Sequence, residues 1–234
     1  MEHRMKLYSG PLSLFSHKVE IALREKGLAF ERIMVPFNQT VGYSPKHPDV
    51  LARNPKGQVP VIIDKDLALY DSTVIFEYLE EAYPAPALYP VTPAERARCR
   101  LYDVFADEVM LVPLRALMHR TGPRPPEPEQ WTESEARAKE AILAIDEHFA
   151  TLNQALGDRE YLWGAFSVAD ISVFMAVLFS DRLGGPPLKP HVSLLAWYRR
   201  LKARDAFSRI AAEVAAADRA LSKTVAGAYS SEAG

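Results

Sequence analysis

Strand-like segments occur only in the first third of this 234-residue chain, and this limits the folds that it can adopt. Short apolar runs between turn residues predict four strands, at 5–8, 30–37, 59–64 and 67–71. Apolar spacing predicts helices over 16–26 and 72–83. The first strands and helix favour a parallel β–α–β unit, and the last two strands favour a hairpin. This part is therefore predicted to be a small α/β domain.

A proline-rich segment at residues 83–95, YPAPALYPVTPAE, is typical of a linker, and no strand pattern follows it. The spacing of Thr92 and Glu95 predicts a capped helix start. Helices are predicted over 93–119, 132–156, 167–179, 193–203 and 207–222. We therefore expect an α/β domain over 5–83, a linker over 84–93 and an all-α domain over 94–225.

Composition excludes several functional classes. The formal net charge is -2, so no basic excess indicates a nucleic-acid partner, and no acidic tail indicates a charged one. The hydrophobic content of 48% is typical of a soluble globular protein. The single cysteine, Cys99, excludes an internal disulfide framework and any CxxC or zinc-knuckle motif. The most apolar later stretch, 171–180, is much shorter than the roughly 20 residues of a membrane span. We expect a soluble, cytoplasmic protein without a metal site, nucleic-acid partner or membrane contact.

The segment NPKGQVPVIID, at 54–64, contains a candidate ligand-binding backbone. Val59 precedes Pro60 and is biased toward an extended conformation, whereas Pro60 has no N–H for the strand ladder. Such an unpaired extended backbone can bind the main chain of a peptide-like ligand. Alternatively, Pro60 simply marks the first residue of a strand.

The segment LYDSTVIFEYLEEAYP, at 69–84, contains a candidate anion site. Asp71 and Ser72 lie where a strand turns into a helix, and free N–H groups at a helix start bind anions. A ligand carboxylate would lie there with the Ser72 hydroxyl, and Asp71 would accept a hydrogen bond from an ammonium group. Helix capping by these two residues is the simpler interpretation.

Together, these segments and the N-terminal LYSGPLSLFSHKVEIALREKGL resemble the glutathione transferases. FSVADISVF, at 166–174, and LLAWYRRLKARDAF, at 194–207, resemble their helical domain. The resemblance covers about residues 5–210, and its motifs occur in the same order as in the family. It implies a thioredoxin-like, glutathione-binding N-terminal domain and an all-α C-terminal domain that shapes a pocket for an electrophile. Ser167 and Asp170 have the spacing of a helix cap, which we assign to stability.

The resemblance implies roles for five residues around glutathione, the expected co-substrate. The Val59 backbone would pair with the cysteinyl part, next to a cis Val59–Pro60 bond, and Gln58 would contact the glycyl or γ-glutamyl end. Ser72 and its helix start would hold the γ-glutamyl carboxylate, with Asp71 near the amino group. Lys46 is expected to bind the glycyl carboxylate.

Glutathione reacts as a thiolate, so the site must lower the pKa of its thiol. Lowering it by two units takes about 2.7 kcal/mol, and one hydroxyl hydrogen bond to a charged group supplies roughly 1.5–3 kcal/mol. By resemblance, Ser13 stands where serine-type members carry this hydroxyl. Ser16, expected to cap the helix, and Tyr8 are the alternatives, whereas His17 is expected to be mostly neutral at pH 7.

A mechanism through a protein mixed disulfide is disfavoured. Some family members carry cysteine in the turn that here contains Leu12 and Ser13. Cys99 lies in the predicted long helix and is expected to be a packing residue.

The electrophile pocket is less constrained by sequence. Five apolar residues of the long predicted helix line either the pocket or the core: Phe105, Val109, Met110, Leu114 and Met118. Arg115 and His119 are expected to face solvent, with a pocket for an acidic substrate as the alternative.

We predict a glutathione transferase, homodimeric as in the family, that attacks a small hydrophobic electrophile. Aryl-ether cleavage, dehalogenation and double-bond isomerisation are alternatives, although the double serine and cysteine of maleylacetoacetate-type isomerases are absent. The contrasting class is a non-catalytic glutathione-binding or scaffold protein of the same fold.

Overall fold

The first part of the chain forms a four-stranded sheet with three helices. The structure is a computed structural model that describes residues 4–230. In chain order the elements are β1 (Met5–Ser9), α1 (Leu14–Glu25), β2 (Phe30–Met34), α2 (Pro48–Arg53), β3 (Val61–Asp64), β4 (Leu67–Tyr70) and α3 (Ser72–Ala82). The strand order is β2-β1-β3-β4, with β1 parallel to β2 and β3 antiparallel to both of its neighbours.

This arrangement confirms the predicted thioredoxin-like β–α–β unit and hairpin. The hairpin turn contains Lys65 at a φ of 55°. Strand β2 is shorter than the predicted 30–37, and α2 lies in a segment that was expected to be irregular. This helix has only six residues, so it lacks a detectable apolar period, although Pro48 is typical of a first helical turn.

The second part is helical, and no strand follows α3 in the described part of the chain. Its α-helices are α4 (Pro93–Val104), α5 (Leu111–Leu117), α6 (Pro128–Leu156), α7 (Val168–Arg182), α8 (Val192–Lys202) and α9 (Asp205–Leu221). The Thr92 hydroxyl accepts from the Glu95 N–H, and the Glu95 carboxylate accepts from Thr92, as the capping pattern predicts. The two-part fold class is therefore confirmed.

The prediction of one continuous α-helix over 93–119 is wrong. A π-helical segment, Phe105–Met110, separates α4 from α5, and a 3₁₀ turn, Met118–Thr121, follows α5. Pro113 lies in the first turn of α5 and cannot donate to the carbonyl of Val109, so the regular bonding pattern is interrupted here. Helix α6 also begins earlier than predicted, at Pro128.

Helix α7 lies at the centre of the molecule. All of its residues are buried, and one hydrophobic cluster joins it to both parts of the chain, including Leu7, Phe76 and Trp197. The apolar stretch 171–180 is thus a core helix. Among residues 4–230, no helix has the length and apolar character needed to cross a membrane. The boundaries at 84–93 stay a prediction, since the core is continuous across them.

The carboxylate of Asp170 holds the start of α7 in place. It accepts hydrogen bonds from the Ser167 N–H at 2.9 Å, the Leu162 N–H at 3.0 Å and the Trp197 indole N–H at 2.8 Å. Asp170 is fully buried, and burial raises the pKa of its carboxyl despite these donors. One side chain therefore joins the start of α7, the preceding loop and α8, which agrees with its assignment to stability.

We expect Asp170→Ala to lower the free energy of unfolding by at least about 3 kcal/mol, because it leaves three buried donors unpaired. Urea unfolding followed by circular dichroism measures this. Asp158→Ala, at an exposed position, removes the same charge and should change the value by less than about 0.5 kcal/mol. Equal effects of the two substitutions would contradict a special role for Asp170.

Candidate functional site

A cavity of about 250 Å³ lies between the start of β3, the start of α3 and the π-helical segment. Four of the six predicted site residues line it: Gln58, Val59, Asp71 and Ser72. The other lining residues are Phe15, Asn54, Lys56, Pro60, Tyr70, Thr73, Val104, Asp107, Glu108 and Arg115. A larger cleft, of about 680 Å³ between α1, β2 and α9, includes none of the six in its described lining.

The segment before β3 forms one wall of the cavity. The Val59–Pro60 bond is cis, as the resemblance implied, and β3 begins only at Val61, so Val59 lies outside the strand ladder. The carbonyl of Gln58 accepts from the Asn54 side chain at 2.7 Å, which fixes this segment. Lys46 is not in the cavity lining, but its ammonium donates to the Gly57 carbonyl at 2.5 Å, next to Gln58.

The start of α3 forms a second wall. Ser72 is the first helical residue and is buried, and its predecessor Asp71 accepts from the Thr73 N–H at 3.1 Å. Asp71 has φ 75° and ψ 125°, a conformation that costs a non-glycine residue about 1–3 kcal/mol. The capping interpretation of Asp71 is therefore confirmed. This strained residue lies at the helix start that the sequence predicts to be an anion site.

Ser13, and not Ser16, caps α1. The Ser13 hydroxyl oxygen accepts from the Ser16 N–H at 3.2 Å and from the Ser16 hydroxyl at 2.9 Å. The prediction that Ser16 caps this helix is wrong because the helix begins two residues earlier, at Leu14. Ser13 lies outside the cavity lining, although Phe15, two residues further on, belongs to it. Within residues 4–230, Ser16 supplies the hydrogen-bond partners of the Ser13 hydroxyl.

The alternatives to Ser13 are engaged elsewhere. The Tyr8 hydroxyl donates to the Asp49 carboxylate at 2.6 Å, and burial together with Asp49 raises its pKa to about 12. His17 is buried against the carbonyl of Pro11, and burial lowers the pKa of its imidazole. Cys99 is fully buried, and burial raises the pKa of its thiol.

The residues predicted for the electrophile side do not form one surface. Met110 and Leu114 lie in the core, whereas Val109 and Met118 are 41% and 49% exposed. Phe105 packs edge-on against His148. Of the two polar candidates, Arg115 lines the cavity, and His119 instead bonds Glu135 at 2.7 Å.

Sequence reasoning did not find a buried ion cluster beside the cavity. The Lys18 ammonium, on α1, donates to Asp103 at 2.7 Å and to Asp107 at 2.6 Å. Asp103 also accepts from the Thr73 hydroxyl at 2.6 Å and from the Ser172 hydroxyl at 2.5 Å. These residues lie on five helical elements and far apart in the chain, so no local sequence pattern predicts their pairing.

The pKa values of the two carboxyls in the cluster are shifted in opposite directions. Burial alone would raise the pKa of Asp103, but the Lys18 ammonium and the hydroxyl donors outweigh it and hold this pKa below its usual range. For Asp107 burial dominates and raises the pKa to about 6, with Lys18 only partly offsetting it. Burial also opposes the charge on Lys18, yet the two carboxylates raise the pKa of the ammonium.

Comparison with known proteins identifies the family. Residues 7–87 match the family model for the N-terminal domain of glutathione S-transferases. A maleylacetoacetate isomerase of Pseudomonas aeruginosa is 30% identical over 86% of this chain and 90% of its own. A theta-class glutathione S-transferase of Xanthomonas axonopodis pv. citri, solved with glutathione bound, is 30% identical with a TM-score of 0.73, covering 88% of this chain and 96% of its own. The chain belongs to the glutathione S-transferase superfamily.

A shorter match has higher identity. A stringent starvation protein A homolog of Coxiella burnetii is 46% identical over 99 residues, which are 42% of this chain. The matched region spans only 44% of the length of that relative. This similarity is limited to less than half of each chain, so it carries no activity to the whole protein.

We expect Lys18→Met to destabilise the fold by about 3–5 kcal/mol at pH 7, since it leaves two buried carboxylates without their cation. Because protonated carboxyls need no cation, the loss should shrink toward pH 4. Urea unfolding at both pH values measures it. Lys6→Met, at an exposed position on β1, is the matched control, and an equal loss there would refute the assignment.

Proposed function

We propose that the protein is a glutathione transferase that binds glutathione in this cavity and activates its thiol through the Ser13 hydroxyl. The thiolate then attacks a small hydrophobic electrophile. The observation that carries the proposal is the Ser13 hydroxyl at the start of α1, held by Ser16 and beside a cavity that brings Val59 and Ser72 together. Ser13 acts as a hydrogen-bond donor to the thiolate and not as a nucleophile.

The hydrogen bonds around Ser13 favour this role. The Ser16 N–H donates to the Ser13 oxygen at 3.2 Å, and the Ser16 hydroxyl lies 2.9 Å from it. When the Ser16 hydroxyl donates, the Ser13 proton is available to an incoming sulfur. Donors that polarise a hydroxyl in this way strengthen the bond that it donates in turn. The N-terminus of α1 adds about 0.3–1 kcal/mol in favour of a nearby anion.

The remaining predicted contacts are compatible with a bound tripeptide. The Val59 backbone, outside the ladder, would pair with the cysteinyl residue of glutathione, and Ser72 would bind the γ-glutamyl carboxylate at the start of α3. Asp71 would lie near the amino group, and Gln58 near one end of the tripeptide. The Lys46 ammonium has two further N–H donors besides the one on Gly57, and these would bind the glycyl carboxylate.

A homodimer in the cytoplasm is the assembly that we propose. Several apolar side chains on α3, α4 and α5 are exposed in the single chain: Val74, Leu101, Val104 and Val112. Exposed apolar residues on neighbouring elements favour burial against a second subunit.

The alternatives differ in what they require of glutathione. Aryl-ether cleavage, dehalogenation and isomerisation all use bound glutathione, so a panel of electrophiles separates them from simple conjugation. A scaffold protein of the same fold needs no glutathione site, so a binding titration separates it from the enzymatic alternatives. A non-catalytic glutathione-binding protein would bind glutathione but turn over none of the electrophiles in the panel.

We expect glutathione to bind with a dissociation constant below about 1 mM in a calorimetric titration. Ser72→Ala should weaken binding roughly tenfold or more, because it removes a hydrogen bond to a carboxylate. Ser208→Ala, at an exposed position on α9, should leave the affinity unchanged. Absence of binding at millimolar glutathione would overturn the proposed function.

We expect Ser13→Ala to raise the pKa of the bound glutathione thiol by about 1–2 units, the equivalent of roughly 1.5–3 kcal/mol. The ultraviolet absorbance of the thiolate as a function of pH measures this pKa. Ser16→Ala, which removes one donor to Ser13, should raise it by less. If Ser16→Ala has the larger effect, Ser16 and not Ser13 meets the sulfur.

A further inference from the structure

The cleft of about 680 Å³ between α1, β2 and α9 has positively charged walls. Its described lining contains two carboxylates, Glu25 and Asp205, and five arginines, which are Arg4, Arg24, Arg32, Arg204 and Arg209. This lining shares no described residue with the cavity proposed for glutathione. Like charges repel one another inside a concave surface, so the arrangement favours an anionic ligand.

A buried carboxylate holds two of these arginines side by side. The Glu20 side chain is fully buried, and its carboxylate accepts from Arg24 Nη2 at 2.7 Å and from Arg32 Nη1 at 3.0 Å. Glu213 also accepts from Arg32 Nη1. These bonds do not use Nη1 of Arg24 or Nη2 of Arg32, so both guanidinium groups are held in place and keep further donors.

Two further arginines have no partner in the described part of the chain. Arg4, before β1, and Arg209, on α9, are exposed and form no ion pair or hydrogen bond with other residues of 4–230. Arg204 differs, because its guanidinium donates to the Glu25 carboxylate at 2.6 Å and 3.1 Å. Arg4 and Arg209 therefore bring two positive charges that no described carboxylate contacts.

The start of α9 adds to the preference for an anion. Arg204, Asp205 and Ala206 line the cleft at the start of this 17-residue helix, and no side chain caps it. The free N–H groups of an uncapped helix start attract anions. Asp205 opposes an incoming anion, but the same helix start partly offsets the charge of its carboxylate.

The remaining walls suit a ligand that also has a small apolar part. Leu28, Ala29 and Phe30 line the same cleft, and the Arg24 guanidinium lies 5.3 Å from the centre of the Phe30 ring. The volume of the cleft lies within the roughly 300–1,000 Å³ of small-molecule sites. Guanidinium groups bind phosphate through paired N–H donors, and the two uncontacted cations match the two charges of a phosphate monoester.

We infer that this cleft is a second binding site, which takes a small organic phosphate. The phosphate group contacts Arg4 and Arg209, beside the remaining donors of Arg24 and Arg32, and the apolar part lies against Phe30. This site goes beyond the proposed function. It does not depend on glutathione binding, because the two cavities have separate linings.

The test is a calorimetric titration of the full chain with phenyl phosphate, inorganic phosphate or benzoate, at low ionic strength, where charge interactions are least screened. We expect phenyl phosphate to bind with a dissociation constant below about 1 mM, and at least about fivefold more tightly than the other two anions. Arg209→Gln and Arg4→Gln should each weaken its binding about tenfold. Two matched controls should leave it unchanged: Arg219→Gln, at an exposed position on α9, and Arg115→Gln, in the cavity proposed for glutathione.

Several results would overturn this second site and leave the proposed function standing. Absence of phenyl phosphate binding at millimolar concentration is one, and equal affinity for inorganic phosphate or benzoate is another. Equal effects of Arg209→Gln and Arg219→Gln would show attraction by overall charge alone, whereas a loss in Arg115→Gln would place the ligand in the other cavity. Should Arg209→Gln fail to fold, Arg4→Gln provides the same comparison with the two controls.

Discussion

The buried ammonium of Lys18 is the interaction on which the arrangement of the site depends. It lies between the carboxylates of Asp103 and Asp107, and through them it joins α1 to the helical part of the chain. A buried ion pair of this kind contributes little net stability relative to an apolar core. Removing one partner is nevertheless strongly destabilising, because it leaves a buried charge uncompensated. Its effect is therefore to fix where the first helix sits against the fourth.

The same cluster reaches the start of α3. Asp103 accepts from the Thr73 hydroxyl, while the Thr73 N–H donates to Asp71, whose backbone adopts an unfavourable positive φ. Strained residues persist where the surroundings determine their conformation from several sides. The start of α3 thus borders a cavity that Asp107, the second carboxylate of the cluster, also lines.

Much of the fold was predictable because its signals are local. The alternation of strands and helices, the hairpin turn at Lys65, and the helix cap at Asp170 each depend on residues close together in the chain. The errors have local causes too. Helix α2 is too short to show a period, and the π-helical segment depends on one missing N–H donor, at Pro113. Neither feature changes the apolar pattern that sequence reasoning uses.

The sequence by itself determined the two-part fold, the family, and the motifs at Val59 and Ser72, because each motif is a short run whose backbone geometry is set by proline or by a helix start. Only the tertiary structure decided which serine caps α1 and that Lys18 and Asp107 meet beside the cavity. That contact joins residues 89 positions apart, and its formation depends on how helices pack in the core. Local sequence preferences carry no information about which residues so far apart in the chain will meet. The packing of the helices in the folded chain determines this.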